Sequence, residues 1–197
     1  MALPGNVIGA TLVQAPFLSP DISDTGNFQS LESGGVAISD PSQGRLVQTW
    51  RAYITGGGTG ISVEPFIAAT PTTVLVSGAT GITSVSLAFD SNMAATVCYM
   101  ESGTLKLRWF NSLTAAIQTD SYAGATSGRV SADDKRQSQE GASDVIFAYT
   151  LSGTLYWRQQ RDRYLTAYTA GTSGALKLRR IGMHNALRFQ FELTNLI

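Results

Sequence analysis

The stretch "DVIFAYTLSGTLYWRQQRDRY" (Asp144–Tyr164) reads as two strands around a glycine turn, and the chain uses the same unit earlier. "DVIFAYT" is apolar throughout, the pattern of a strand covered on both faces. Gly153 follows it, where a positive φ at a hairpin tip costs glycine little. "ATVCYMESGTLKLRWFNSLT" (Ala95–Thr114) carries the same Ser-Gly-Thr-Leu, with Tyr99 matching Tyr149 and Arg108 matching Arg158. A looser third copy surrounds Gly56, Gly57 and Gly58, between "WRAYI" and "ISVEPF". The tyrosines that precede the three tips, Tyr53, Tyr99 and Tyr149, are spaced by 46 and 50 residues.

Period-two alternation accompanies the turns. Val85, Leu87 and Phe89 share one face of "SVSLAF", and Leu105, Leu107 and Trp109 one face of "LKLRWF". In "RFQFEL", Phe189, Phe191 and Leu193 alternate with Arg188, Gln190 and Glu192. Each pattern describes a strand with one wet face. No stretch combines a 3.6-residue period with helix caps. The expected fold is all-β: antiparallel sheets built from a recurring hairpin, arranged as a β-sandwich or a propeller-like unit, with very little helix. Three such units cannot close a propeller, which takes about four to eight blades. Residues 1–45, rich in Pro, Gly, Ser and Asp, are expected to form an extended or irregular arm, and 46–197 the all-β domain. "SGRVSADDKRQSQEGASD" (127–144) is polar and long, and is expected to be a loop.

Composition narrows the function. Charged residues make up 14% of the chain, against about a quarter in ordinary domains, and the net charge is zero. No global field would recruit nucleic acid or an anionic membrane. The balance is uneven, however. Residues 1–100 hold two basic and six acidic side chains, and residues from 145 onward hold seven basic and two acidic. Such asymmetry suits a head-to-tail contact between copies. Cys98 is the single cysteine, so no internal disulfide or cysteine-based metal site is expected. The N-terminus lacks a basic signal-peptide start, and no apolar run reaches the roughly 18 residues of a membrane span. Synthesis in the cytoplasm, without membrane insertion, is expected.

Chemistry is sparse. His184 is the only histidine, and no Gly-x-Ser-x-Gly, His-x-x-His or Cys-x-x-Cys spacing occurs. Asp133, Asp134, Glu140 and Asp144 cluster in the polar stretch, with Asp90 and Asp120 on other turns. Two carboxylates at a set distance suffice for glycoside hydrolysis, yet loop carboxylates beside Arg129, Lys135 and Arg136 read more simply as local ion pairs. No catalytic residue, metal site or cofactor is expected, and the chain is read as a non-enzyme. The run "YWRQQRDRY" is rich in the residue types of protein–protein hot spots. Tyr156, Trp157, Arg158, Arg161, Arg163 and Tyr164, with Arg179 and Arg180 further on, are the interface candidates. The same aromatics could stack on sugars.

The words "LAFD", "DDKR", "SDVIFAY", "LYWRQQRDRY" and "IGM…LRFQF", spread over residues 82–193, resemble a run found in virion tail components of short-tailed and related bacteriophages. The resemblance implies a non-enzymatic building block of the tail, of fibre, nozzle or adaptor type, present in symmetric copies. It implies a homo-oligomer that docks to other tail proteins and resides in the virion after synthesis in the host cytoplasm. The alternative is a host-receptor or glycan-binding tail module, with Tyr122, Tyr156 and Trp157 as stacking groups. A carboxylate-based polysaccharide depolymerase ranks third, and a nucleic-acid partner is not expected.

Overall fold

The computed structural model describes residues 29–37, 46–65, 73–90, 94–132, 145–184 and 188–194. Among them the only helical element is one turn of 3-10 helix, Gln160–Asp162. The first sheet is formed by β1 (Gln29–Ala37), β2 (Leu46–Thr55), β3 (Gly60–Pro65) and β4 (Thr73–Val76). The second contains β5 (Ile82–Phe89), β6 (Ala95–Glu101), β7 (Thr104–Asn111) and β8 (Ala116–Tyr122). The third contains β9 (Ala125–Ala132), β10 (Val145–Leu151), β11 (Thr154–Gln159) and β12 (Tyr168–Thr172). A fourth sheet has two strands, β13 (Lys177–His184) and β14 (Arg188–Thr194). All pairing is antiparallel, and each sheet is an up-and-down meander in chain order.

Successive sheets meet face to face. Ala52, Ile54, Ile61 and Val63 of the first pack on Val85, Leu87, Phe89, Val97 and Tyr99 of the second. Leu105, Leu107 and Trp109 pack on Val130, Val145, Phe147 and Tyr149 of the third. Ala148, Leu155 and Trp157 pack on Leu178, Ile181, Phe191 and Leu193 of the fourth. The sheets touch chiefly through their first strands: β1 on β5, β5 on β9, β9 on β13. Among the described residues, the backbones of β4, β8 and β12 do not come as close to a neighbouring sheet, and Tyr122 of β8 reaches the third sheet through its side chain. The sheets therefore splay from a hub of first strands, as propeller blades do. Of the two arrangements expected from the sequence, this is the propeller-like one, open rather than closed.

Serines stitch the hub. The Ser86 hydroxyl on β5 accepts from Val130 N (3.1 Å) and donates to Val130 O (3.4 Å) on β9. Ser127 on β9 accepts in the same way from Leu178 N on β13 (2.8 Å), and shares a hydrogen bond with Thr150 (2.7 Å). Arg129 adds a bond from Nε to the Arg179 carbonyl (2.9 Å). Between Ser127 and Arg129, a Cβ on Gly128 would lie 2.7 Å from Leu105 and 2.8 Å from Cys98, so the second sheet sits directly on the β9 backbone.

Three expectations change. Residues 127–132, expected as loop, form most of β9, because Val130 is buried and the small side chains admit the neighbouring sheet. From Val85 onward β5 has no wet face: Val85, Leu87 and Phe89 face the first sheet, while Ser86 and Ala88 are buried toward the third. Residues 29–37, grouped by sequence with the arm, form β1 and pair along β2. The remainder of 1–45 lies outside the described residues. The repeated hairpins are present as β2–β3, β6–β7 and β10–β11, each the middle pair of its sheet. At the last two tips the serine as well as the glycine is left-handed, with φ of 47° and 78° at Ser102-Gly103 and 49° and 75° at Ser152-Gly153. This matches the twist of a two-residue hairpin.

Ser86→Ala leaves both polar groups of Val130 buried without their partner, and should cost about 1–3 kcal/mol. Urea unfolding should show a lower midpoint at unchanged slope. An unchanged midpoint would mean that apolar packing alone holds the hub.

Candidate functional site

One element recurs in each full sheet. Tyr53, Tyr99 and Tyr149 stand two residues before the end of the second strand, and the fifth residue of the third strand is Glu64, Arg108 or Arg158. Tyr53 donates to Glu64 Oε2 (3.4 Å), and Arg158 Nε donates to the Tyr149 hydroxyl (3.2 Å). Burial pushes the Tyr99 phenol above its ordinary value of 10.0, and the charges of Lys106 and Arg108 pull it partly back. In the first sheet the element is completed by the Arg51–Glu64 ion pair.

The third sheet extends this element into a site. Its third and fourth strands are joined by residues 160–167, which fold back over the second sheet. Arg163 and Tyr164, both at φ 59°, are consecutive left-handed residues. Neither is glycine, and each such residue costs about 1–2 kcal/mol. The surroundings hold the turn in place. Arg158 Nη1 donates to the carbonyls of Tyr164 (2.5 Å) and Leu165 (3.0 Å). Gln160 donates to Asp90 Oδ2 (3.0 Å) and accepts from Val145 N (3.3 Å), tying the turn to both sheets. The Tyr164 ring is 2% exposed and meets Trp109 edge-on at 5.2 Å.

A cleft of about 350 Å³ lies between this turn and β7–β8. Gln118, Asp120 and Tyr122 stand opposite Trp109, Leu107 and Leu105, so strand alternation aims them at the third sheet. Asn111 lines the cleft from the end of β7, and Arg158, Arg163 and Leu165 line it from the third sheet. Trp109 Nε1 donates to Asp120 Oδ2 (2.8 Å) and fixes that carboxylate. The Arg158 guanidinium lies 5.4 Å from the Tyr122 ring centre and 5.8 Å from that of Tyr149. Burial pushes the Tyr122 phenol well above its ordinary 10.0, although Arg158 opposes the shift. The cleft thus offers one carboxylate, two amides, two guanidiniums and a small apolar surface.

The run "YWRQQRDRY" does not make one outward surface. Tyr156 and Arg158 stand opposite Tyr149 and Phe147 and face the second sheet. Trp157 stands opposite Ala148, faces the fourth sheet and stacks on Tyr168 at 4.6 Å. Tyr164 is buried, whereas Arg161 and Arg163 are exposed. Arg179 and Arg180 lie on β13 and pair with Glu192 at 3.4 and 3.8 Å. Sequence reading missed Asn111, Gln118 and Trp109 as site residues. The usable signal was alternation in "IQTDSY", where Gln118, Asp120 and Tyr122 share a face.

Asp133, Asp134, Glu140 and Asp144 fall outside the described residues. Asp90 is held by Ala94 N (2.9 Å) as well as Gln160, and His184 lies in β13 opposite Arg188. Among the described residues no three His, Cys, Asp or Glu side chains gather in a way that could hold a metal ion. A scan of protein-family models and searches of curated proteins and of solved structures each find no match to the chain.

Two outcomes test this account. Arg158→Met removes the clamp on a strained turn, and charged-group hydrogen bonds contribute about 1.5–3 kcal/mol each net of solvent. The variant should unfold at lower urea, and proteolysis should cut first within 160–167. Full resistance there would show that the turn holds itself. Alkali should also destabilise the fold. Burial pushes the Cys98 thiol up to about 12 from 9.0, and the Tyr99 and Tyr122 phenols also rise. The unfolded chain therefore releases protons at lower pH than the folded one, so stability falls as pH climbs from about 9 toward 12. Cys98→Ala should lessen that slope in pH-dependent urea melts.

Proposed function

We propose that the protein is a non-enzymatic structural component of a bacteriophage tail, which assembles as a symmetric homo-oligomer and docks to other tail proteins. The observation that carries this reading is an open arc of sheets whose two ends differ in charge. The strands of the last sheet contain Lys177, Arg179, Arg180 and Arg188 against Glu192, and those of the first contain Glu32 and Glu64 against Arg51. A head-to-tail contact between such ends is heterologous and closes into a ring when the rotation closes. Edge strands support the same reading. β12 is exposed along all five residues, and an open edge invites pairing with another chain. The tail assignment itself rests on the resemblance of residues 82–193 described above.

Light scattering on the purified chain should give a fixed multiple of 20.9 kDa at two concentrations. The double substitution Arg179→Glu, Arg180→Glu should weaken association more than tenfold without loss of β-sheet signal. Salt at about 0.5 M should weaken the wild type in the same direction. A wild-type monomer at every concentration overturns the assembly reading. Absence of the protein from purified virions of the phage that encodes it overturns the tail reading.

A further inference from the structure

We propose that the cleft between the second and third sheets binds a neutral sugar ring of a glycan. Its donor and acceptor set fits that class. A pyranose presents hydroxyls that both donate and accept, and it meets here an acceptor (Asp120), two amides that do both (Asn111, Gln118) and a donor (Arg163). Arg163 is the freer of the two guanidiniums, because Arg158 commits N–H donors to Tyr149 and to the carbonyls of residues 164 and 165. The Asp120 carboxylate, held in the cleft by Trp109, repels a phosphate or a sulfate. The sugar's C–H face requires an apolar surface, and Leu165, 67% exposed at the rim, provides one. The volume of about 350 Å³ lies in the ~300–1,000 Å³ range of small-molecule pockets.

The site is also preorganised. The indole of Trp109 sets Asp120, and Asn111 is 5% exposed with Oδ1 accepting from Leu113 N (3.1 Å). The left-handed Arg163–Tyr164 pair places Arg163 at the cleft while Tyr164 is buried against Trp109. Backbone strain held by its surroundings in this way accompanies ligand clamps. This inference is independent of assembly, since the cleft is built within one chain.

Saturation-transfer NMR on the full chain tests it. The probes are methyl glycosides of glucose, galactose, mannose, rhamnose and N-acetylglucosamine, with methyl glucuronide and glucose 1-phosphate as charged controls. At least one neutral glycoside should receive saturation on its ring protons. Gln118→Ala and Arg163→Gly should each reduce that signal at least fivefold at unchanged thermal midpoint, the second because glycine accepts the same φ. No transfer to any neutral glycoside overturns the proposal. So does transfer confined to the charged sugars, or transfer that both variants leave intact. Oligomer mass, measured on the same samples, separates this result from the assembly reading.

Discussion

The fold depends on a polar seam at its hub. Four sheets packed face to face would ordinarily hold their first strands about 10 Å apart, the spacing of stacked sheets. Here those strands approach more closely, and their backbone groups need partners that another ladder does not supply. The hydroxyls of Ser86 and Ser127 fill that gap, each reaching the backbone of the next sheet's first strand. A hydroxyl suits the task because it donates and accepts from one atom. Close approach also requires little side-chain bulk on the strand being approached, which is why Gly128 lies where Cys98 and Leu105 descend. From this seam the sheets diverge, and the wedge between them fills with larger residues such as Phe147, Tyr149 and Trp109.

The tyrosine-and-charge element shows how one backbone plan tolerates different chemistry. Glu64, Arg108 and Arg158 occupy equivalent positions, yet among the described residues only Arg158 lies beneath a turn whose carbonyls it binds. In the first sheet the same place carries the opposite sign, and Arg51 across the strand restores balance. The position is therefore fixed by the phenol beside it, which can donate to a carboxylate or accept from a guanidinium. Sign is decided by what each sheet faces.

Much of the middle of each sheet was legible in the sequence because apolar alternation and a glycine turn coincide there. Val145–Thr150 read as covered on both sides, and all six residues are buried. The hub and the periphery were less legible for opposite reasons. β9 is built from Ala, Ser, Gly, Arg and Thr around one valine, a composition shared with loops, because its burial comes from backbone approach and not from side-chain bulk. β12 is wholly exposed, so nothing apolar marks it. The cleft was half legible. Arg158, Arg163 and Tyr164 drew attention as a contiguous run, but their partners Gln118 and Asp120 lie on a different sheet, and only topology brings the two groups together.

The cleft's location follows from loop length. In the second sheet the third and fourth strands are joined by residues 112–115, too few to leave the sheet edge. In the third sheet the same connection spans 160–167, long enough to fold back. What it folds onto is set by the splay: away from the hub the second and third sheets diverge, and their outer strands no longer fill the space between them. A turn entering that space must bury something, and it buries the Tyr164 ring against Trp109. Burying Tyr164 while returning the chain to β12 forces the two left-handed residues, and the carbonyls they expose require donors, which Arg158 supplies. The strain, the clamp and the cleft are thus one consequence of an eight-residue connection placed where two blades part.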